Sequence, residues 1–151
     1  MHLTRMLLTT GCACLLLAAC TKRAYKTEKA KLLEQGKWQL VAQTATISYM
    51  GTDTTFNMYA ELKDCEKDDY ITFSKKGKCT KDEGGSICTG RSQTSTIKWE
   101  LKNNDSQLYL EDDNPDTYDL EVTTAQMKLK IIKLNSSGIP VTYLHSYNNI
   151  K

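Results

Sequence analysis

Short segments of alternating apolar and polar residues constrain the fold of this chain more than any other feature. Ile97, Trp99 and Leu101 lie on one side of such a segment, and Lys98 and Glu100 lie on the other. Side chains of a β-strand alternate between its two faces, so this segment has one apolar face and one charged face. An antiparallel sheet that covers a core on one side and meets water on the other requires this pattern.

About eight strands of this kind are predicted, and clusters of turn-forming residues separate them. They cover Trp38–Tyr49, Tyr70–Phe73, Lys78–Lys81, Ser95–Leu101, Gln107–Glu111, Thr117–Thr123, Gln126–Leu134 and Val141–Tyr147. The connections are too short for crossover helices, which indicates an antiparallel, meandering sheet. Residues 51–67 are mixed and predict a short helix or an irregular loop. We expect an all-β, up-and-down barrel over residues 36–151. A flattened β-sandwich is the alternative, and pairing of the first strand with the last would indicate the barrel.

The N-terminal segment predicts export and a lipid anchor. Arg5 precedes an apolar stretch, residues 6–19, which is too short to span a bilayer. The Leu-Ala-Ala run directly before Cys20 resembles a bacterial lipobox, in which the Cys is acylated and the chain is cut before it. We therefore predict a signal peptide over residues 1–19, lipidation of Cys20, and a lipidated tether over residues 20–35 that ends in one helical turn. An ordinary cleaved signal peptide is the alternative.

The predicted location is the outer membrane of a diderm bacterium, where the lipid on Cys20 contacts the membrane. Thr21 follows Cys20, whereas an Asp at that position would indicate retention in the inner membrane. The basic residues after Cys20 favour a domain that faces the periplasm over one displayed on the cell surface. The chain has 20 basic and 18 acidic side chains, a formal charge of +2. It lacks a basic stripe, so we expect no nucleic-acid partner.

The sequence predicts no enzyme, no metal and no cofactor. His145 is the single His after the signal peptide, which is too few for a multi-His zinc site, and it shares a strand face with Tyr143. Two acidic clusters, residues 64–69 and 111–119, lack EF-hand spacing and are interpreted as solvated turns. We expect seven residues to form the barrel core or to line a ligand pocket: Trp38, Leu40, Phe73, Trp99, Leu120, Leu129 and Tyr143. A largely packed interior is favoured over an open one.

The register of one hairpin predicts a disulfide. A three-residue loop with Gly77 at positive φ joins two strands, so that Cys79 faces Phe73. Cys79 then lies about 25 Å along the strands from Cys65, beyond disulfide reach, whereas Cys88 needs only a small bend of the chain. We predict a Cys65–Cys88 disulfide and a buried, unreactive thiol at Cys79.

Several motifs resemble a known family. Gly36-Lys37-Trp38 opens the first strand, and the lipocalins open theirs with Gly-x-Trp. The run DCEKDDYITF at residues 64–73 is followed by Gly77, an Asp-Glu-Gly segment and Cys88, and a second Trp-led strand segment near the middle, Trp99-Glu100-Leu101, also fits. This pattern is similar to the lipocalin-like domain of small Bacteroidetes lipoproteins. The resemblance implies a lipocalin-like β-barrel behind a lipid-anchor Cys, in a group mostly without an assigned activity.

From the barrel and the resemblance we expect a lipid-anchored, non-enzymatic envelope domain that binds a small apolar or amphipathic molecule. The alternative is a structural or interaction module that presents loops or a sheet face to another envelope protein. A barrel cavity of several hundred Å³ would favour binding. A filled barrel with an apolar patch on its outer face would favour a protein partner.

Overall fold

The computed structural model describes residues 27–151, and the predicted signal peptide and the lipidation site Cys20 lie outside them. The described chain forms α1 (Glu28–Gln35), β1 (Lys37–Tyr49), β2 (Thr52–Asn57), a 3-10 helix (Met58–Glu61), α2 (Asp64–Lys67), β3 (Tyr70–Phe73), β4 (Lys78–Asp82), β5 (Thr94–Lys102), β6 (Gln107–Glu111), β7 (Asp116–Val122), β8 (Gln126–Leu134) and β9 (Pro140–Asn149). A membrane-spanning helix, which needs a long apolar stretch, is absent from residues 27–151.

The strands form a closed antiparallel barrel. From β3 to β9 each strand pairs with the next, and β1 pairs with β3 through Lys37–Gln39. β1 also pairs with β9 from Trp38 to Ile47, with a bulge at Val41, and this ladder closes a ring of eight strands. The predicted barrel is therefore confirmed, and the β-sandwich is excluded because the first and last strands are hydrogen-bonded to each other.

β2 lies outside the ring. It pairs with the second half of β1, Thr44–Tyr49, and with no other strand. The sequence predicts a helix or loop for all of residues 51–67, and this prediction is wrong for Thr52–Asn57. Every residue of β2 is exposed, so no alternation of apolar and polar side chains marks the strand. The 3-10 helix and α2 then lead the chain from β2 to β3.

α1 covers one end of the barrel. The Thr27 side chain caps its N-terminus, and Leu33 is fully buried in the core. The carbonyl of Leu33 accepts a hydrogen bond from the indole N–H of Trp38, at 3.0 Å. The sequence assigns the helical turn to the tether over residues 20–35, whereas in the structure this helix packs against the barrel and closes one end of it.

The buried core fills the barrel from this closed end to its middle. Its members are Leu33, Trp38, Ile71, Phe73, Cys79, Leu108, Leu110, Leu120, Met127 and Leu129. Leu33 comes from α1, and the other members lie on the inward-facing side of their strands, where side chains alternate between the two faces. The closed half is thus packed with side chains, as the sequence predicts for the interior.

The β3–β4 hairpin has the predicted register. Phe73 pairs with Cys79, and Gly77 has a φ of +70° in the connecting loop. Cys65 and Cys88 form a disulfide, and Cys79 is a free thiol with no exposed surface. Both the disulfide and the buried free thiol are confirmed.

Candidate ligand site at the open end of the barrel

The end of the barrel opposite α1 carries charged residues on its inner face. Here β4, β6 and β8 end, and β5, β7 and β9 begin. Lys133 lies four residues beyond the buried Leu129 of β8, and Asp116 lies four residues before the buried Leu120 of β7. Residues that are an even number of positions apart on a strand point to the same face, so Lys133 and Asp116 point inward like Leu129 and Leu120. The interior therefore changes from apolar to charged toward this open end.

A cavity of about 280 Å³ lies between β7, β8 and β9 at the open end. It is lined by Asp116, Tyr118, Ile131, Lys133, Tyr143 and His145. The Lys133 ammonium Nζ lies 2.5 Å from Asp116 Oδ2, and the Tyr118 hydroxyl donates to the same oxygen at 3.3 Å. The Tyr118 ring packs edge-on against the His145 imidazole, with centroids 6.0 Å apart. The one lysine and the one carboxylate of this cavity therefore neutralise each other.

His145 presents an imidazole without charge at neutral pH. Burial lowers the pKa of His145 below its usual value; Asp116 opposes this effect and Lys133 adds to it. Within residues 27–151, neither ring nitrogen of His145 nor the hydroxyl of Tyr143 has a hydrogen-bond partner. These two side chains leave neutral donors and acceptors available to a bound molecule.

A second cavity, of about 220 Å³, opens beside α2. It is lined by Leu40, Leu62, Glu66, Asp69, Tyr70, Ile71, Lys81, Arg91 and Tyr147. Arg91 lies 2.6 Å from Glu66, 3.4 Å from Glu83 and 3.9 Å from Asp69. Burial, with the charge of Glu83 adding to it, raises the pKa of Asp69 to about 6, although Arg91 acts in the opposite direction. Together with the Cys65–Cys88 disulfide, this network holds α2 on the β4–β5 connection.

A wider space of about 640 Å³ lies at the rim. Asp116 lines both this space and the 280 Å³ cavity, while Lys81 lines both this space and the cavity beside α2. Lys81 Nζ and Asp112 Oδ2 are 3.9 Å apart across it. The three spaces therefore surround the same open end. Across residues 27–151, no three His, Cys, Asp or Glu side chains converge in a way that could hold a metal ion.

The seven residues predicted for core or pocket separate into two groups. Trp38, Phe73, Leu120 and Leu129 are buried in the core, and Trp99 packs edge-on against Phe73 with centroids 5.3 Å apart. By contrast, Leu40 lines the cavity beside α2, and Tyr143 lines the 280 Å³ cavity. Of the seven, Leu40 and Tyr143 thus line cavities at the open end.

The charged residues of the site are absent from the sequence-based prediction. Asp116 is interpreted from sequence as part of a solvated turn, but it is the first residue of β7 and lines the cavity. Lys133 continues the inward row of β8, and His145 shares a face with Tyr143 on β9. All three residues lie an even number of positions from buried residues of the same strand, so the alternation predicts that they point inward. This signal could have identified them from the sequence.

The comparison with known protein families assigns this chain to a family. Residues 35–129 match the lipocalin-like domain family. No curated protein matches the chain. Among solved structures, bovine odorant-binding protein from nasal mucosa is 11% identical, with 84% of this chain and 76% of that chain covered and a TM-score of 0.46. A complex of the bovine protein with undecanal gives the same identity and coverage with a TM-score of 0.47. Because the family match spans more than half of the sequence, the chain belongs to the lipocalin-like domain family.

Proposed function

We propose that this protein is a non-enzymatic binding domain, and that a small amphipathic molecule binds at the open end of its barrel. The observation that carries the proposal is the 280 Å³ cavity, where unpartnered polar atoms of His145 and Tyr143 lie beside the apolar Ile131. Ligand pockets generally combine apolar walls with a few polar groups that fix the orientation of the ligand.

The packing of the closed half limits the size of the ligand. Trp38, Leu120 and Leu129 fill the barrel below the cavity and leave no surface or almost none exposed. A ligand that reached toward α1 would have to displace this packed core, which is costly at native packing density. The volume of about 280 Å³ lies near the lower limit of small-molecule sites, so a compact ligand is expected.

The side chains around the cavity favour binding over catalysis. Nucleophilic catalysis needs a hydroxyl or thiol within hydrogen-bond reach of a base. The hydroxyls among the six residues that line the cavity are the phenols of Tyr118 and Tyr143. The Tyr118 hydroxyl donates to Asp116, whose charge Lys133 already compensates, and the Tyr143 hydroxyl has no hydrogen-bond partner within residues 27–151. The groups are therefore arranged to hold a polar atom rather than to activate one.

Titration with 1-octanol, followed by amide NMR spectra, tests the proposal. We expect shifts in β8 and β9 around Ile131 and Tyr143 and none in α1. Ile131→Trp would fill the cavity and abolish these shifts. Ile132→Trp is the matched control, because Ile132 is the next residue and its side chain is 60% exposed on the outer face. Shifts that survive Ile131→Trp would contradict binding in the cavity.

We also infer that the barrel is anchored to the outer membrane through a lipid on Cys20 and faces the periplasm. The Leu-Ala-Ala run before Cys20 and the basic residues after it support this location. Replacing Cys20 by Ser should abolish incorporation of labelled fatty acid and release or stall the protein. Protease treatment of intact cells should leave the domain intact, and its loss would contradict the periplasmic location.

A further inference from the structure

The charges at the open end are paired inside the protein. Asp116 Oδ2 accepts from Lys133 Nζ at 2.5 Å and from the Tyr118 hydroxyl at 3.3 Å. The cavity therefore contains one positive and one negative group in direct contact, and it presents no uncompensated charge to a ligand. An ionised ligand in such a site would lose hydration without gaining a counter-ion of its own.

The groups that remain unpartnered are neutral. Within the described chain, the His145 imidazole and the Tyr143 hydroxyl line the cavity without a hydrogen-bond partner. The lowered pKa of His145 keeps its ring uncharged, so it has one donor and one acceptor. An uncharged hydroxyl, phenol or amide group can use both kinds of atom, whereas a carboxylate only accepts and an ammonium only donates.

An apolar wall continues from the cavity across the sheet. Ile131 pairs with Tyr143, Tyr143 with Ala45, and Ala45 with Phe56, so these four residues form one row across β8, β9, β1 and β2. Residues directly opposite each other in an antiparallel sheet point to the same face. The row lies on the inner face, since Ala45 is buried, and Phe56 at its far end is 48% exposed. It offers a surface for the apolar body of a ligand.

We propose that the open end selects an amphipathic molecule with an uncharged, hydroxyl-type head group, which hydrogen bonds to His145 and Tyr143 while its apolar body lies along Ile131. This inference rests on the proposed function and specifies the ligand class of the same site. The Asp116–Lys133 pair acts as the selectivity element, because it leaves neither charge free to attract a carboxylate or an ammonium group.

Three ligands with one chain length test the inference: 1-octanol, octanoate and octylammonium, titrated into the purified protein at pH 7.5. We expect 1-octanol to bind at least about tenfold more tightly than either ion, since an uncompensated charge in a partly buried site costs about one such factor or more. Equal or tighter binding of either ion would overturn the inference and leave the proposed function standing. No binding of any of the three would overturn the proposed function, and the inference with it.

Breaking the ion pair should change the preference in opposite directions. Asp116→Asn leaves the Lys133 charge free, and the affinity for octanoate should rise about tenfold relative to the affinity for 1-octanol. Lys133→Met leaves the Asp116 charge free, and the affinity for octylammonium should rise instead. Asp119→Asn and Lys130→Met are the matched controls, because Asp119 and Lys130 form a 3.3 Å pair on the outer face of the same two strands. An unchanged preference in both inner variants would contradict the assigned role of the pair.

The head-group contacts have their own test. Tyr143→Phe and His145→Phe keep an aromatic ring at each position and remove its polar atoms. Each should weaken 1-octanol binding by about fivefold, as expected for the loss of one hydrogen bond, while the preference over octanoate falls. Unchanged affinity in the double variant would show that the head group lies elsewhere.

Discussion

At the scale of single residues, Gly36 explains the Gly-x-Trp motif in physical terms. A Cβ atom at this position would lie 2.1 Å from Cε2 of Trp38, so the indole occupies the space that any side chain would need. The φ of Gly36 is −92°, which every residue can adopt, and the requirement for Gly is therefore one of space. Because the same indole donates to the Leu33 carbonyl, the motif fixes α1 on the end of the barrel.

Gly36→Ala is expected to destabilise the barrel by about 2 kcal/mol, because the extra methyl group overpacks a buried indole. Urea unfolding followed by Trp fluorescence measures the change. Gly85→Ala is the control, since its added Cβ would meet only Asp68 Oδ2, at an ordinary 3.4 Å. Equal effects of the two substitutions would contradict the steric role of Gly36.

Asp69 should make the protein less stable as the pH rises. Its folded-state pKa of about 6 exceeds the ordinary value of 3.8, so the folded state binds more protons than the unfolded state between these values. The stability that Asp69 contributes is thus present below pH 4 and is lost as the pH rises through 6. Asp69→Asn should raise the free energy of unfolding at pH 7.5 by up to about 1 kcal/mol, since solvent screens a partly exposed group.

Denaturant unfolding at pH 7.5 and at pH 4 checks this prediction, and the gain should disappear at the lower pH. Asp64→Asn in α2 provides the control, because the Asp64 side chain is fully exposed. A gain of the same size at both pH values would mean that packing of the new amide, and not the titration of Asp69, is responsible.

Single residues also show where sequence reasoning stops. Alternation predicts that Trp38, Leu120 and Tyr143 point into the barrel, and all three do. It does not distinguish a core position from a cavity position, because that depends on which end α1 covers. Asp116 looks like part of a polar turn for a different reason: the register of the β7–β8 pair, which places Lys133 opposite it, cannot be read from the polar residues around it.

At the scale of elements, the β3–β4 hairpin is predictable and β2 is not. Gly77 fixes a three-residue loop, and this loop fixes every pair in the hairpin, including Phe73 with Cys79. β2 has the sequence TDTTFN and is exposed throughout, so neither burial nor apolar alternation distinguishes it from a loop. Its existence follows from pairing with β1, which is a tertiary contact.

The Cys65–Cys88 disulfide is expected to stabilise the domain by about 3 kcal/mol, because it closes a loop of some two dozen residues in the unfolded chain. Its sequence separation is 23. The Cys65→Ser, Cys88→Ser double variant should unfold at correspondingly lower urea concentration. Reducing agent should destabilise the natural protein and leave the double variant unchanged, since the thiol that remains within residues 27–151, Cys79, is unpaired and buried. Destabilisation of the double variant by the reductant would contradict this assignment.

At the scale of the whole molecule, the barrel has a packed half and an open half that differ in the side chains they contain. The packed half contains α1 and the apolar core, and the open half contains the Asp116–Lys133 pair and the cavity. The sequence predicts a closed barrel because the strands are short, antiparallel and one-sided. It does not predict the division into a packed half and an open half. The 13-residue β1 belongs to the ring and also pairs with β2 through its second half, and the sequence alone does not show this second pairing.

The same division predicts where the molecule opens first. β2 pairs with one strand only, β1, and has no buried residue, whereas β9 pairs with both β1 and β8 along most of its length. Local opening requires less free energy where few apolar contacts are broken. Amides of β2 should therefore exchange with deuterium about two orders of magnitude faster than amides in the middle of β9.

Hydrogen–deuterium exchange of the purified protein in low denaturant measures this difference. Added urea should accelerate exchange in β9, whose amides open only when the ring unfolds, and should barely affect β2, which opens by local fluctuation. Equal protection and equal urea dependence of the two strands would show that β2 unfolds with the ring. In that case the β1–β2 hairpin would be part of the cooperative unit, and the apolar row that ends at Phe56 would be as rigid as the barrel itself.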